Sequence, residues 1–454
     1  MFQKGSLLPI LAAILVPTLA VFVLWPPGSG ARPEHDAAKA GKTVITYWDR
    51  HLGHEHEMRR ALIDEFNATN NNIHVRVLSI GERIEKVLTA ISSGAPPDAC
   101  GIDSNNMFLL AAQGGFMPLD DFARASGIWE DTFFPSCWRM VHFEGHLWAL
   151  PVTTDIYALL WNKDIFREAG LDPEQPPRTI EELDAFADKL TKFGPNGELE
   201  RMGFLPWSPW DMTFHWGIAF GGRWYDPETD QFTIAEDPHI LESIRWQASY
   251  GKRYDPTRVE GFRLGLGQYM SANNPFYVGK VAMALEGEWQ ETFIPRYAPD
   301  LDWGVAPIPQ PAHLKEERAV VPSSVTDVIP AGSPHPQEAW EFISWMFKKR
   351  ASDGTYPLAD YNEAIHNIPP MKVVAQEPRF SEAPNFRAFV DLFLTRTGYS
   401  VPPIPVAPMF LEMIEKERQY VVFGLKTPEQ AVEHLDSFLQ NELDEVREWQ
   451  RRSL

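Results

Sequence analysis

The chain has 454 residues, with 62 acidic against 41 basic side chains and a formal net charge of −21. That balance disfavours nucleic acid or an anionic membrane surface as the main partner, because both select clustered positive charge. Hydrophobic residues at 44% and charged residues at 23% argue against global disorder, and the length accommodates two domains.

The first element in chain order is a targeting segment. Leu7 to Trp25 is almost continuously apolar, Lys4 precedes it, and Pro26, Pro27, Gly28, Ser29 and Gly30 follow. Charge, apolar core and breaker in that order mark export. The run is also close to the ~20 residues that span a bilayer, and Pro9 and Pro17 do not forbid a helix in lipid. Residues 1–30 are therefore expected to be either a cleaved signal peptide or an inner-membrane anchor through residues 7–25. No cysteine ends the run, so there is no lipoprotein attachment site. Residues 31–42 read as a polar linker, and the bulk of the chain as a soluble body beyond one membrane.

The body opens with Thr43-Val44-Ile45-Thr46-Tyr47-Trp48, a β-branched and aromatic run that reads as a buried strand. Met58, Ala61, Leu62 and Phe66 then fall on one helical face. Ile73 to Val77 alternates as a strand, and Ile84, Val87, Leu88 and Ile91 recur at helical spacing. A short strand runs to Asp103. This β-α-β-α-β order predicts a parallel sheet flanked by helices, with ligands outside the carboxyl ends of its strands. That rule marks Trp48 to His51, including Asp49, and Asp103 to Asn106, including Asn105, as site positions. The alternatives are a core ring at Trp48 and a helix cap at Asp103.

Further on, Thr179 with Glu182 predicts a capping box, and Pro336 and Pro428 predict helix starts. Sixteen tryptophans in all supply flat apolar faces, and their densest loop cluster holds Trp207, Trp210 and Asp211. Trp210 or Trp207 is the expected stacking plate for a ligand, with Trp224 a further candidate. His51, His54, Glu55 and His56 fit no strong metal motif and read as a solvated helix start, so no metal or cofactor is expected. The two cysteines, Cys100 and Cys137, either pair in an oxidising compartment or stay as separate buried thiols.

A set of short segments then carries a resemblance. Ile45-Thr46-Tyr47-Trp48, Ser93-Gly94-Ala95-Pro96-Pro97-Asp98 and Ala112-Gln113-Gly114-Gly115-Phe116 come in order. Leu159-Leu160-Trp161-Asn162-Lys163-Asp164, Gly279-Lys280-Val281-Ala282-Met283 to Trp289, and Ala331-Gly332-Ser333-Pro334 follow. In this order the chain, over about residues 43–445, resembles the family 1 extracellular solute-binding proteins, maltose-binding-protein-like subunits of ABC importers.

The resemblance implies an α/β fold of two lobes, the type II periplasmic-binding-protein fold, each lobe a mostly parallel sheet flanked by helices. A three-segment hinge joins them. The expected lobes are residues 43–152 with 327–385, and 153–326 with 386–454. It further implies ligand contacts at Asp103, at Thr154 and Asp155 on the first crossing, and at Glu286 and Trp289, with Gly287 allowing close approach. Ser324 on the second crossing and Arg387 near the third would suit a hydroxyl or a phosphate. The implied function is periplasmic capture of a mono- or oligosaccharide for import, with ABC permease subunits as partners. A glycerol-phosphate-type ligand, a binding protein that reports its ligand to a membrane receptor, and a carbohydrate-active enzyme using Asp155 and Glu286 stand as alternatives.

Overall fold

The computed structural model describes residues 33–453 apart from 209, 211, 268–270 and 322. The apolar segment 7–25 and the predicted contact Asp211 lie outside the described residues. Among the described residues no helix is long and apolar enough to cross a membrane.

Two five-stranded sheets organise the two lobes. The first has the order Ile73–Ser79, Thr43–Asp49, Ala99–Asp103, Val325–Val328, Leu150–Pro151. Its first three strands pair in parallel, as the β-α-β-α-β pattern requires. The last two are antiparallel to their neighbours. The second sheet runs Trp303–Ala306, Tyr157–Asn162, Val281–Gly287, Leu199–Phe204, Lys192–Phe193. There only the pairing of Val281–Gly287 with Leu199–Phe204 is parallel. The sheets are thus mixed rather than mostly parallel. Strands joined by right-handed crossover helices must run parallel, whereas Val325–Val328 re-enters the first sheet from the other lobe and is free of that constraint.

Alternation along Thr43–Asp49 buries Ile45, Tyr47 and Asp49 on one face. Tyr47 meets Phe342 edge-on at 5.3 Å, and Phe66 meets the same ring at 5.3 Å. Beneath them a buried Arg59 guanidinium pairs with Asp327, and the Tyr47 hydroxyl donates to Asp327 at 2.7 Å. The second core centres on Trp216, which packs on Trp246 at 4.5 Å and donates to the Pro206 carbonyl at 2.8 Å. The predicted capping box forms: Thr179 accepts from Glu182 N, and Glu182 from Thr179 N.

The chain leaves the first sheet after Pro151, enters the second at Tyr157, and re-enters the first at Val325. The two crossings are laced together. Val152 N donates to Val325 O at 2.7 Å, and Val325 N to Thr153 Oγ1 at 3.2 Å. A third strand of chain joins them, with Thr154 N donating to Ile368 O at 3.0 Å. Cys100 and Cys137 remain separate buried thiols. Cys137 is held by Thr154, its Sγ 3.0 Å from Oγ1.

Candidate functional site

Between the sheets, beside the crossings, lies a crevice of about 360 Å³. One wall carries Arg50, Glu82, Asp103 and Asn106, from the carboxyl ends of the first sheet's strands. The opposite wall carries Tyr157, Trp210, Trp289 and Phe293. Asp155, Ser323 and Asn367 form the floor at the hinge.

The aromatic wall is built from the end of the strand Val281–Gly287. Trp289 folds its ring back over Gly287, where any Cβ would collide with the indole at 2.1 Å. Glycine is required there by close approach. Trp210 meets Trp289 edge-on at 6.0 Å, and Tyr157 meets it from the other side at 5.3 Å. The Trp210 indole N–H donates to Glu286 Oε2 at 2.9 Å. Burial pushes the Glu286 carboxyl up to about 7, against the side chains of Trp210, Gln290 and Trp289. Tyr157 also rests on His215 at 4.5 Å, whose burial pushes its pKa down to about 3 and keeps it neutral.

The polar floor is a hydrogen-bonded set. Asp155 accepts from Ser323 Oγ at 3.0 Å and from Asn367 Nδ2 at 2.9 Å. The same amide donates to Glu288 Oε1 at 2.8 Å, and Ile156 N donates to Glu288 Oε2 at 3.0 Å. Burial and the neighbouring Asp103 charge raise Asp155 to about 7. Burial and Asp155 raise Glu288 as well. Asp103 caps the helix Ser104–Ala112 through Asn105 N at 2.9 Å and faces Arg50 at 3.8 Å. Burial raises its pKa, and Arg50 opposes the rise. Arg50 also holds Glu82 at 2.8 Å.

Of the residues singled out from sequence, the crevice gathers Arg50, His51, Asp103, Asn106, Asp155, Trp210 and Trp289. The others are placed elsewhere, each for a reason of its own. Trp48 is half-buried against the first core. Asp49 is wholly buried and points away, accepting from His51 Nδ1 at 2.9 Å and His56 Nδ1 at 2.7 Å. Burial alone would raise its pKa; the two imidazoles overcome that and bring it down to about 2. His51 and His56 are therefore a clamp on a buried acid rather than part of a solvated helix start, while His54 Nε2 lies 3.2 Å from the Ala364 carbonyl. Asn105 gives only its backbone N–H to Asp103, and Asn106 lines the crevice instead. Thr154 is buried against Cys137, and Ser324 is buried in the crossing, bonded to the Thr153 carbonyl.

Trp207 lies under the Arg418 guanidinium at 4.9 Å, lining a separate cavity. Trp224 is in the second core, stacked on Phe214 with its N–H on the Phe214 carbonyl at 3.2 Å. An indole whose N–H finds an internal partner joins the core readily. Glu286 sits behind Trp210 as its anchor. Arg387 is exposed and faces Asp391 one turn along at 3.5 Å, so it clamps nothing in the crevice.

Sequence reasoning missed Asn367 as a lining residue. The strand-end rule found the right positions, but strand parity turns Asp49 inward and hands the crevice to its neighbour Arg50. Asn367 follows a helix that ends at His366 in the left-handed region, φ 52°. No sequence motif announces that turn.

The sequence model for bacterial extracellular solute-binding proteins matches residues 55–352. The solved structure of CpMnBP1 with mannobiose bound superposes with a TM-score of 0.77 at 30% identity, covering 87% of this chain and 98% of that one. The maltotriose-binding protein of Pyrococcus abyssi is 23% identical over 381 residues, 81% of this chain and 75% of its own. The sn-glycerol-3-phosphate-binding periplasmic protein of Escherichia coli K12 is 23% identical over 412 residues, 86% and 90% of the two chains.

Proposed function

Because the chain belongs to the bacterial extracellular solute-binding proteins, we propose that it captures a small neutral carbohydrate in this crevice, outside the cytoplasm, and delivers it to an ABC importer. The observation that carries this reading is the facing of an indole wall, Trp210 and Trp289, against Asp103 on the opposite wall and a floor of Asp155, Ser323 and Asn367. A pyranose has apolar faces and a rim of hydroxyls. Stacking satisfies the faces; carboxylates and amides satisfy the rim, where an unpaired buried polar group costs about 1–3 kcal/mol.

Size and charge refine the ligand. The crevice is at the small end of the ~300–1,000 Å³ range of ligand sites, which favours a mono- or disaccharide over a long chain. Glu55, Glu82, Asp103 and Asp155 line it against Arg50 and Arg83. Arg50 is already committed to Glu82 and Asp103. Arg83 also lines the crevice, but four carboxylates face the two guanidiniums, so a phosphate would enter a net negative site and a neutral sugar is favoured over a glycerol phosphate. The mannobiose complex of the 30% identical structure makes a mannobiose-type disaccharide the first compound to test.

Capture needs no chemistry, and family membership leaves the hydrolase alternative without support. Its pairing of Asp155 with Glu286 is also poor, because Glu286 stands behind an indole. Delivery follows from closure, since a ligand touching both walls favours the closed lobes by its extra contacts. The segment 7–25 is proposed to export the chain and, if uncleaved, to tether it. N-terminal sequencing of the exported protein decides between the two: a start beyond residue 25 means cleavage, and Met1 means an anchor. Calorimetric titration with mannobiose, maltotriose and glycerol 3-phosphate tests the ligand class; heat with glycerol 3-phosphate alone would overturn it.

A further inference from the structure

On the second lobe, away from the crevice, His239, Glu242 and His313 bring their ligand atoms within 4.8 Å of one another. We propose that these three side chains form a surface site for a divalent transition-metal cation, with zinc the best match. Among the described residues, no hydrogen bond or ion pair engages either imidazole or the Glu242 carboxylate. The rings lie 6.3 Å apart and 24° from parallel.

The backbone delivers them there. Asp237 caps the helix Pro238–Tyr254 by accepting from His239 N at 2.8 Å, which sets His239 in the first turn. Glu242 follows three residues later on the same face. His313 comes from the tight turn closed by Leu314 N donating to Pro311 O at 2.9 Å. Gly221, at φ +99°, makes room for this turn. A Cβ there would lie 3.0 Å from Leu314 Cδ1 and 3.8 Å from His239 Cγ.

Two imidazole nitrogens and one carboxylate oxygen, with water in the fourth position, make a tetrahedral zinc set. Magnesium and calcium prefer all-oxygen shells. The helix N-terminus carries partial positive charge that disfavours a cation; the Glu242 carboxylate offsets it, as does the chain's net charge of −21. A bound ion would cross-link the helix to the loop that leads into the strand Arg318–Val320, stiffening this lobe without touching the crevice.

The test uses the purified chain stripped by a chelator and titrated with zinc alone, then with magnesium alone, by calorimetry and thermal melting. The expected result is one zinc per chain with a raised Tm, and no response to magnesium at the same concentration. His239→Ala, His313→Ala and the conservative Glu242→Gln should each weaken zinc binding by roughly tenfold or more, the scale on which even outer-sphere partners act. Saccharide affinity should stay unchanged in all three, which also reports that they fold. No zinc uptake in the micromolar range would overturn the proposal. So would uptake of the same stoichiometry and affinity in the double variant His239→Ala/His313→Ala, which would mean an adventitious ion only.

Discussion

The Trp210 indole donates to the Glu286 carboxylate at 2.9 Å, so the crevice wall is fixed by an acid buried behind it. Burial raises that acid from 4.5 to about 7. The folded protein therefore holds a proton that the unfolded chain has released once the pH exceeds about 4.5. Stability from this group is greatest below that pH and falls as pH rises toward 7. Glu286→Gln keeps an acceptor for Trp210 and has no charge to bury. It is expected to stabilise the protein by about 1–3 kcal/mol at pH 8 and to be neutral near pH 4. Urea denaturation at the two pH values checks this; an equal effect at both would contradict it.

Trp289→Ala and Trp210→Ala should each weaken saccharide binding by about 1–3 kcal/mol, the scale of stacked, desolvated aromatic contacts. Trp210→Phe keeps a ring but loses the bond to Glu286, so its loss should be smaller. Titration calorimetry on the three variants reads the order.

Asp155 titrates at about 7 because burial and Asp103 oppose its charge. Ligand hydroxyls donating to it favour the ionised form. Affinity should therefore rise several-fold between pH 6 and 8, a window of roughly one unit either side of that value. In Asp155→Asn the profile should flatten. A slope that persists in the variant would assign the titration to another group, with Glu288 the first candidate.

Arg59 and Asp327 form a buried ion pair in the first lobe, both almost wholly excluded from solvent. Removing one partner strands the other's charge. Asp327→Ala should cost roughly 3–5 kcal/mol, read as a lowered urea midpoint, with the crevice residues untouched.

The alternation of Thr43–Asp49 and the helical stripes after it made the parallel half of the first sheet legible. The antiparallel strands were not, because Val325–Val328 takes its direction from a return out of the other lobe, far along the chain from where Pro151 left the sheet. In the site, Trp289 was legible through the family resemblance, and Gly287 before it leaves the room that its ring, folding back, requires. Trp224 and Trp207 were misassigned because loop tryptophans look alike in sequence. The difference lies in whether an internal carbonyl or guanidinium reaches the ring, as Phe214 O and Arg418 do. Asn367 was invisible, since its role depends on the left-handed turn at His366 bringing one amide between Asp155 and Glu288.

Calorimetric titration of the exported chain with mannobiose, alongside Trp289→Ala, tests the central claim most directly. The account predicts a saturable heat at one site per chain, markedly weakened in the variant. Saccharide binding that is indifferent to Trp289, or no binding of mannobiose or any other neutral sugar, would contradict it.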